Sequence, residues 1–141
     1  MRDVRIEINT LTADLFLQLF ASVGWEPPGS EQVRRALQNS AATFTAYDGS
    51  TAVGMVRLLG DGGMSFYLKD FAVIPACQHQ GVGHRLLTQA QDYVLRQLEP
   101  GWAVSLELIS TREAAVFYEK NGFEPRPCAW DGPGMMKMLR Q

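Results

Sequence analysis

The 141-residue sequence predicts an α+β domain built on a mixed, mostly antiparallel sheet. Short runs of alternating or continuous apolar residues indicate strands, apolar residues spaced three and four apart indicate helices, and glycine-rich turns separate the strands. The predicted order of elements is β-α-α-β-β-β-α-β-α-β-β. We expect a single domain over residues 1–141, because this length supports one core and is too short for two ordinary domains.

The first predicted elements are a strand and two helices. Residues 4–8 alternate apolar and charged side chains, which is typical of an edge strand. Thr12 is placed to cap a helix over residues 13–23, and Ser30 is placed to cap a short helix over residues 31–38.

A three-stranded antiparallel meander follows. Residues 43–47 and 51–59 have strand patterns and flank the Asp-Gly-Ser turn at 48–50, which is a strong hairpin signal. Glycines at 60–63 indicate a second turn, and residues 64–74 form the third predicted strand.

The junction after this strand is the most informative part of the chain. Pro75 closes the strand because it has no amide proton for the ladder. Gly81 and Gly83 then lie at the start of a long predicted helix, and Arg85 adds a cation one turn later. The apolar face of this helix consists of Leu86, Leu87, Ala90, Tyr93, Val94 and Leu98. A helix N-terminus offers unpaired amides and partial positive charge, so this junction predicts an anion site that fits phosphate.

Two common phosphate-binding motifs are excluded by spacing. A dinucleotide-binding fold requires Gly-x-Gly-x-x-Gly, and the third glycine position is occupied here by Leu86. A Walker loop requires Gly-Lys-Ser or Gly-Lys-Thr, which the sequence lacks.

The last predicted elements are a strand, a helix and two further strands. Residues 102–109 form the strand, and residues 111–121 form a helix that the Asn-Gly pair at 121–122 ends. A return strand is expected from Phe123, and residues 135–139 form a final apolar strand.

Composition narrows the class of protein. The net charge of −2 gives no general attraction to nucleic acid or to an anionic membrane. The sequence contains no apolar run of roughly 20 residues and no signal-peptide pattern, so we expect a cytoplasmic protein. Cys77 and Cys128 form no CxxC pair, so neither a disulfide framework nor a metal site is predicted.

Two motifs carry a resemblance to a known family. Gln78-x-x-Gly81-x-Gly83 is similar to the pyrophosphate turn of the GCN5-related N-acetyltransferases (GNAT), and the segment 114–123, Ala-x-x-Phe-Tyr-x-x-x-Gly-Phe, resembles a second signature of that family. The resemblance covers nearly the whole chain. It implies a twisted sheet flanked by helices, with central strands that splay apart where a thioester enters.

The resemblance also implies acetyl-CoA as co-substrate and no metal. The backbone of Phe71, Ala72 and Val73 would pair with the pantetheine arm. The pyrophosphate would be held mainly by backbone amides of a segment that we call the cradle, which consists of Gln78, His79, Gln80, Gly81, Val82, Gly83, His84 and Arg85.

The resemblance places Tyr118 at the position of the general acid that protonates the departing thiolate, a role that suits attack of a neutral amine on a thioester. The base is left open between Asp70, Glu107 and a water molecule. Lys69 stands where diamine acetyltransferases carry a glutamate, which disfavours a polycationic acceptor. The expected walls of the acceptor pocket are Phe20, Trp25, Tyr67 and Trp130.

The predicted function is transfer of an acetyl group to a primary amine of a small molecule, by direct attack in a ternary complex. The alternatives are a non-catalytic CoA-binding sensor and an acetyltransferase acting on protein or peptide amines. Acetylation of aminoacyl-tRNA is disfavoured by the negative net charge. A homodimer is the default assembly for a small enzyme of this kind.

Overall fold

The computed structural model describes residues 1–141. The chain forms two compact units, Met1–Leu108 and Ile109–Gln141. The first unit contains, in order, β1 (Arg5–Ile8), α1 (Ala13–Ser22), α2 (Ser30–Gln38), β2 (Ala42–Asp48), β3 (Thr51–Gly60), β4 (Ser65–Val73), a 3-10 turn (Pro75–Cys77), α3 (Val82–Gln97) and β5 (Ser105–Glu107). The second unit contains one helix, α4 (Ala115–Lys120).

The five strands form one sheet in the order β1-β2-β3-β4-β5. The first three pairings are antiparallel and the β4–β5 pairing is parallel, so the predicted mixed, mostly antiparallel sheet is confirmed. β1 is an edge strand, as its alternating sequence predicts. The β4–β5 ladder has only three residue pairs and ends where Tyr67 lies opposite Glu107.

Helices α1 and α3 cover opposite faces of the sheet. Met55 of β3 lies in the core cluster that includes Leu19 of α1. Its neighbour Gly54 faces α3 so closely that an added Cβ would lie 3.1 Å from Leu86 Cδ1. Because successive residues of a strand point to opposite faces, the two helices pack on different sides of β3.

The two predicted helix caps have different outcomes. Thr12 caps α1 as predicted, since its Oγ1 accepts a hydrogen bond from the Leu15 amide at 3.2 Å. The prediction that Ser30 caps α2 is wrong. Gly29 holds the extended N-cap position, Ser30 is already the first helical residue, and no side chain caps this helix.

The two predicted turns of the meander are confirmed. β2 ends at Asp48 and β3 begins at Thr51, with Gly49 at φ +60° in the hairpin turn. In the β3–β4 turn, Asp61 Oδ1 accepts hydrogen bonds from three successive amides, those of residues 63, 64 and 65. These bonds stabilise the carboxylate and lower the pKa of Asp61 to about 2.

The C-terminal part differs from the sequence-based prediction. Residues 123–141 contain no strand, so the return strand at Phe123 and the final strand at 135–139 are not formed. Pro125, Pro127 and Pro133 lack the amide donors of a ladder, and every residue from 129 to 141 is exposed. The apolar run at 135–139 is therefore not buried as a strand of this sheet.

The preceding elements are shorter than predicted. β5 covers three residues of the expected 102–109, and α4 begins only at Ala115. Ala114 occupies the N-cap position of α4, and no side chain caps this helix. No helix of the protein combines the length and the apolar character that crossing a bilayer requires.

Candidate active site

A β-bulge interrupts β4 near its C-terminal end. The β3–β4 pairing moves from Met55 opposite Ala72 to Arg57 opposite Lys69, so β4 contributes one residue more than β3 between these pairs. Asp70 lies within the bulge and has a left-handed backbone with φ +54°. Bulges bend a strand and redirect its side chains, so the carboxylate of Asp70 has an orientation that a regular strand would not give it.

Asp70 forms an ion pair with Arg57. Arg57 Nε donates to Asp70 Oδ2 at 2.8 Å, and Arg57 Nη1 donates to Ser40 Oγ at 3.4 Å. The two charged side chains are only 14% and 15% exposed. The Asp70 charge is therefore balanced within the protein before any acceptor binds.

Arg57 is not among the functional residues predicted from the sequence. The sequence feature that points to Arg57 is its position as the single charged residue in the otherwise apolar stretch of β3 at 52–59. A charge at such a position requires a partner when the strand is central and its neighbours are buried.

The side chains around the end of the β4–β5 ladder are more accessible. Lys69 and Glu107 are exposed, and Tyr67 is half-buried. Glu107 Oε2 accepts a hydrogen bond from Ser105 Oγ at 2.9 Å.

The cradle contains the N-terminus of α3, as the sequence predicts. Gly81 is the N-cap residue with φ +85°, and His79 also has a left-handed backbone with φ +60°. The first backbone bond of the helix runs from the Arg85 amide to the Gly81 carbonyl at 3.1 Å. The amides of Val82 and Gly83 precede that bond and belong to the group of donors that a helix leaves for an anion.

Position 81 favours glycine because its backbone has φ +85°, a conformation that is unfavourable for residues with a Cβ. These features match the requirements of a backbone cradle for a phosphate group.

Side chains also stabilise the turn. Gln78 Nε2 donates to the Val73 carbonyl at 2.9 Å, which connects the turn to the end of β4. Arg85 lies 3.3 Å from Asp3 in an ion pair whose carboxylate is fully exposed. Gln78, His79 and His84 are exposed, whereas Val82 is buried against the sheet.

Tyr118 belongs to α4 in the second unit. Its ring makes edge-to-face contacts with Phe117 and Phe123, at centroid distances of 5.2 and 5.7 Å. Burial raises the pKa of Tyr118 to about 12 because the phenolate is poorly solvated there. The phenol therefore keeps its proton at neutral pH.

Three of the four aromatic residues expected to line the acceptor pocket lie in the core or are exposed to solvent. Phe20 contacts Trp25 edge-to-face at 5.1 Å, and both pack against the core cluster beneath α1. Trp130 is 70% exposed in the second unit. A separate cavity of about 450 Å³ is lined by residues including Thr12, Gln18 and Tyr47, and none of the predicted site residues lines it.

The glycine turn at the N-terminus of α3 is the feature that the resemblance to a CoA-dependent acyltransferase family predicts. The family model described as an acetyltransferase (GNAT) domain matches residues 39–125, which is more than half of the chain. The protein belongs to the GNAT acetyltransferase family, whose members use acetyl-CoA, and it is an acyltransferase.

Relatives and solved structures agree with this assignment. A GNAT-family acetyltransferase from Streptococcus pneumoniae is 31% identical, with a TM-score of 0.77 and coverage of 99% of this chain and 100% of that chain. A protein of unknown function from Staphylococcus aureus, described as a probable acetyltransferase, is 28% identical, with a TM-score of 0.85 and coverage of 97% of this chain and 100% of that chain. The chloroplastic serotonin N-acetyltransferase 2 of Oryza sativa is 26% identical over 98% of this chain and 69% of its own length.

Proposed function

We propose that this protein transfers an acetyl group from acetyl-CoA to a primary amine of a small molecule, by direct attack in a ternary complex. The observation that supports this most is the Gly81 turn, which presents backbone donors ahead of the first hydrogen bond of α3. Its spacing is that of the family's pyrophosphate motif.

The donor would be held at two places in the first unit. The cradle residues 78–85 would bind the pyrophosphate through backbone amides and the Arg85 guanidinium. The backbone of residues 71–73 would pair with the pantetheine arm, on the part of β4 beyond the end of the β5 ladder at Tyr67. Acetyl-CoA supplies the activated acetyl group as a thioester, which an amine attacks without a covalent enzyme intermediate.

Two proton transfers accompany the reaction. Tyr118 is the proposed acid, because its phenol is protonated at neutral pH and has a proton to donate. The proton of the amine would pass to Asp70, to Glu107 or to a water molecule held by one of them. Arg57 contacts Oδ2 of Asp70, so Oδ1 is the oxygen that we propose faces the amine.

The acceptor is proposed to be a small amine with a single positive charge. The rice relative is named for serotonin, which is a small primary amine. The exposed Lys69 would repel a polycation from the same strand.

A CoA-binding sensor without catalytic activity is the second candidate. It is favoured by the Arg57–Asp70 ion pair, which engages one of the two candidate carboxylates in a structural contact.

The test is a thiol-release assay with acetyl-CoA and a panel of acceptors that includes arylalkylamines, amino sugars, spermidine and peptides. We expect turnover with a singly charged amine and a slower reaction with spermidine. Calorimetric binding of CoA without turnover of any acceptor would support the sensor, and absence of both binding and turnover would contradict the proposal.

A further inference from the structure

We propose that Arg2 is a positioning residue for the cradle: it fixes Gln80 and thereby holds the turn in the shape that binds pyrophosphate. This inference rests on the proposed function, because it assigns Arg2 to the affinity of the same donor site. Arg2 lies 78 positions away from Gln80 in the sequence, so the contact is a tertiary one.

Arg2 binds Gln80 through both backbone and side chain. The Arg2 amide donates to the Gln80 carbonyl at 2.8 Å, and Arg2 Nε donates to Gln80 Oε1 at 2.7 Å. Gln80 Nε2 in turn donates to the Ala76 carbonyl at 2.9 Å. Both ends of the Gln80 amide group are therefore engaged, and its orientation is fixed.

The same arginine anchors the turn to the sheet. Arg2 Nη1 forms a salt bridge with Asp48, the last residue of β2. Because β2 and β3 are paired up to this hairpin, Arg2 connects the cradle to a rigid part of the fold. Arg2 uses both Nε and Nη1 in contacts with Gln80 and Asp48, so we assign it to positioning and not to direct phosphate contact.

The cradle needs such support because its backbone is unfavourable on its own. His79 has φ +60°, a left-handed conformation that is unfavourable for a residue other than glycine. Strained turns of this kind persist only where surrounding contacts hold them. Without Arg2, part of the binding free energy of the donor would be used to order the turn.

This role predicts an effect confined to ligands that carry the pyrophosphate. In Arg2→Ala, calorimetry should show a dissociation constant about tenfold higher for CoA and for dephospho-CoA, and an unchanged constant for pantetheine, which lacks that group. The backbone bond from residue 2 to Gln80 is present in both variants, but Arg2→Lys also keeps a positive charge near Asp48, so it should restore part of the affinity.

Arg5→Ala is the matched control. Arg5 contacts Glu7 and the Gly49 carbonyl and lies over the Tyr47 ring, away from the cradle turn. Its loss should leave the affinity for all three ligands unchanged. An equal loss of CoA and pantetheine affinity in Arg2→Ala, or no loss of either, would overturn the proposal.

Hydrogen exchange gives a readout that does not depend on the ligand. The amides of Gln78 and Arg85 donate to the carbonyls of Pro75 and Gly81 in this turn, and they should exchange about tenfold faster in Arg2→Ala than in the wild type, with little change in α1. Unchanged exchange would overturn the positioning role even if the wild type binds CoA. If the wild type does not bind CoA, the proposed function fails while the exchange experiment still decides whether Arg2 holds the turn.

Discussion

The environment of Tyr118 decides which proton chemistry this side chain can perform. Its ring lies against two phenylalanine rings, and desolvation raises the pKa of its phenol to about 12. A half-buried phenol with this pKa keeps its proton throughout the neutral range and is not available as a base.

Removal of the Tyr118 hydroxyl tests both the raised pKa of this side chain and its proposed role as the general acid. Ultraviolet titration of the four tyrosines should show one that ionises only near pH 12, and Tyr118→Phe should lack it. The variant should also have a kcat lower by about 100-fold, the lower bound for loss of a general acid.

Tyr93→Phe is the control for this experiment. Tyr93 is on α3 and its hydroxyl donates to the Ala41 carbonyl at 3.4 Å, outside the proposed site. A Tyr118→Phe enzyme with the kcat and pH profile of the wild type would remove the proposed acid.

Single residues also show why part of the site escapes sequence analysis. Gly81 is predictable because a motif and a helix start coincide there. Arg57 is not, because its partner Asp70 is 13 positions away and meets it only through the bulged register of β3 and β4. Arg2 and Gln80 come together in the same way, through tertiary contacts that no local pattern indicates.

Among the structural elements, the β3–β4 turn has an electrostatic feature of its own. Asp61 accepts three amide hydrogen bonds as a carboxylate, which lowers its pKa from 3.8 to about 2. A group whose pKa is lower in the folded state adds stability above its unfolded pKa, and this contribution is lost as the pH falls toward the folded value.

Replacement of Asp61 by alanine should therefore destabilise the protein in a pH-dependent manner. The wild type should have the larger free energy of unfolding at neutral pH, and the difference should shrink from about pH 4 and vanish near pH 2. Denaturant unfolding across this pH range measures the difference.

Asp92→Ala is a suitable comparison, because Asp92 is an exposed residue of α3 away from this turn. Between neutral pH and pH 2, the difference in free energy of unfolding between the wild type and Asp92→Ala should stay constant. A difference between wild type and Asp61→Ala that stays constant down to pH 2 would contradict the role of the three amide bonds.

Elements with strong local signals are predicted well and the C-terminal ones are not. The cap of α1, the Asp-Gly-Ser hairpin and the glycine junction before α3 each combine a pattern with specific turn or cap chemistry. Residues 135–139 have only an apolar run, which does not reveal whether a neighbouring strand is available. The exposed segment of residues 129–141 shows that apolar character alone does not produce a strand.

For the molecule as a whole, the sheet of the first unit explains where a donor is expected to bind. α1 and α3 cover opposite faces, β5 accompanies β4 for only three residues, and the chain passes from the end of β4 through the 3-10 turn into the cradle. One continuous segment, residues 65–97, thus supplies the strand edge and the helix N-terminus that the proposal assigns to acetyl-CoA.

A crystal structure of the complex with CoA tests this central claim most directly. We expect the pyrophosphate within hydrogen-bond distance of the backbone amides of residues 81–83, and the pantetheine arm along residues 71–73 of β4. CoA bound at another surface of the protein, with these amides unoccupied, would contradict the account.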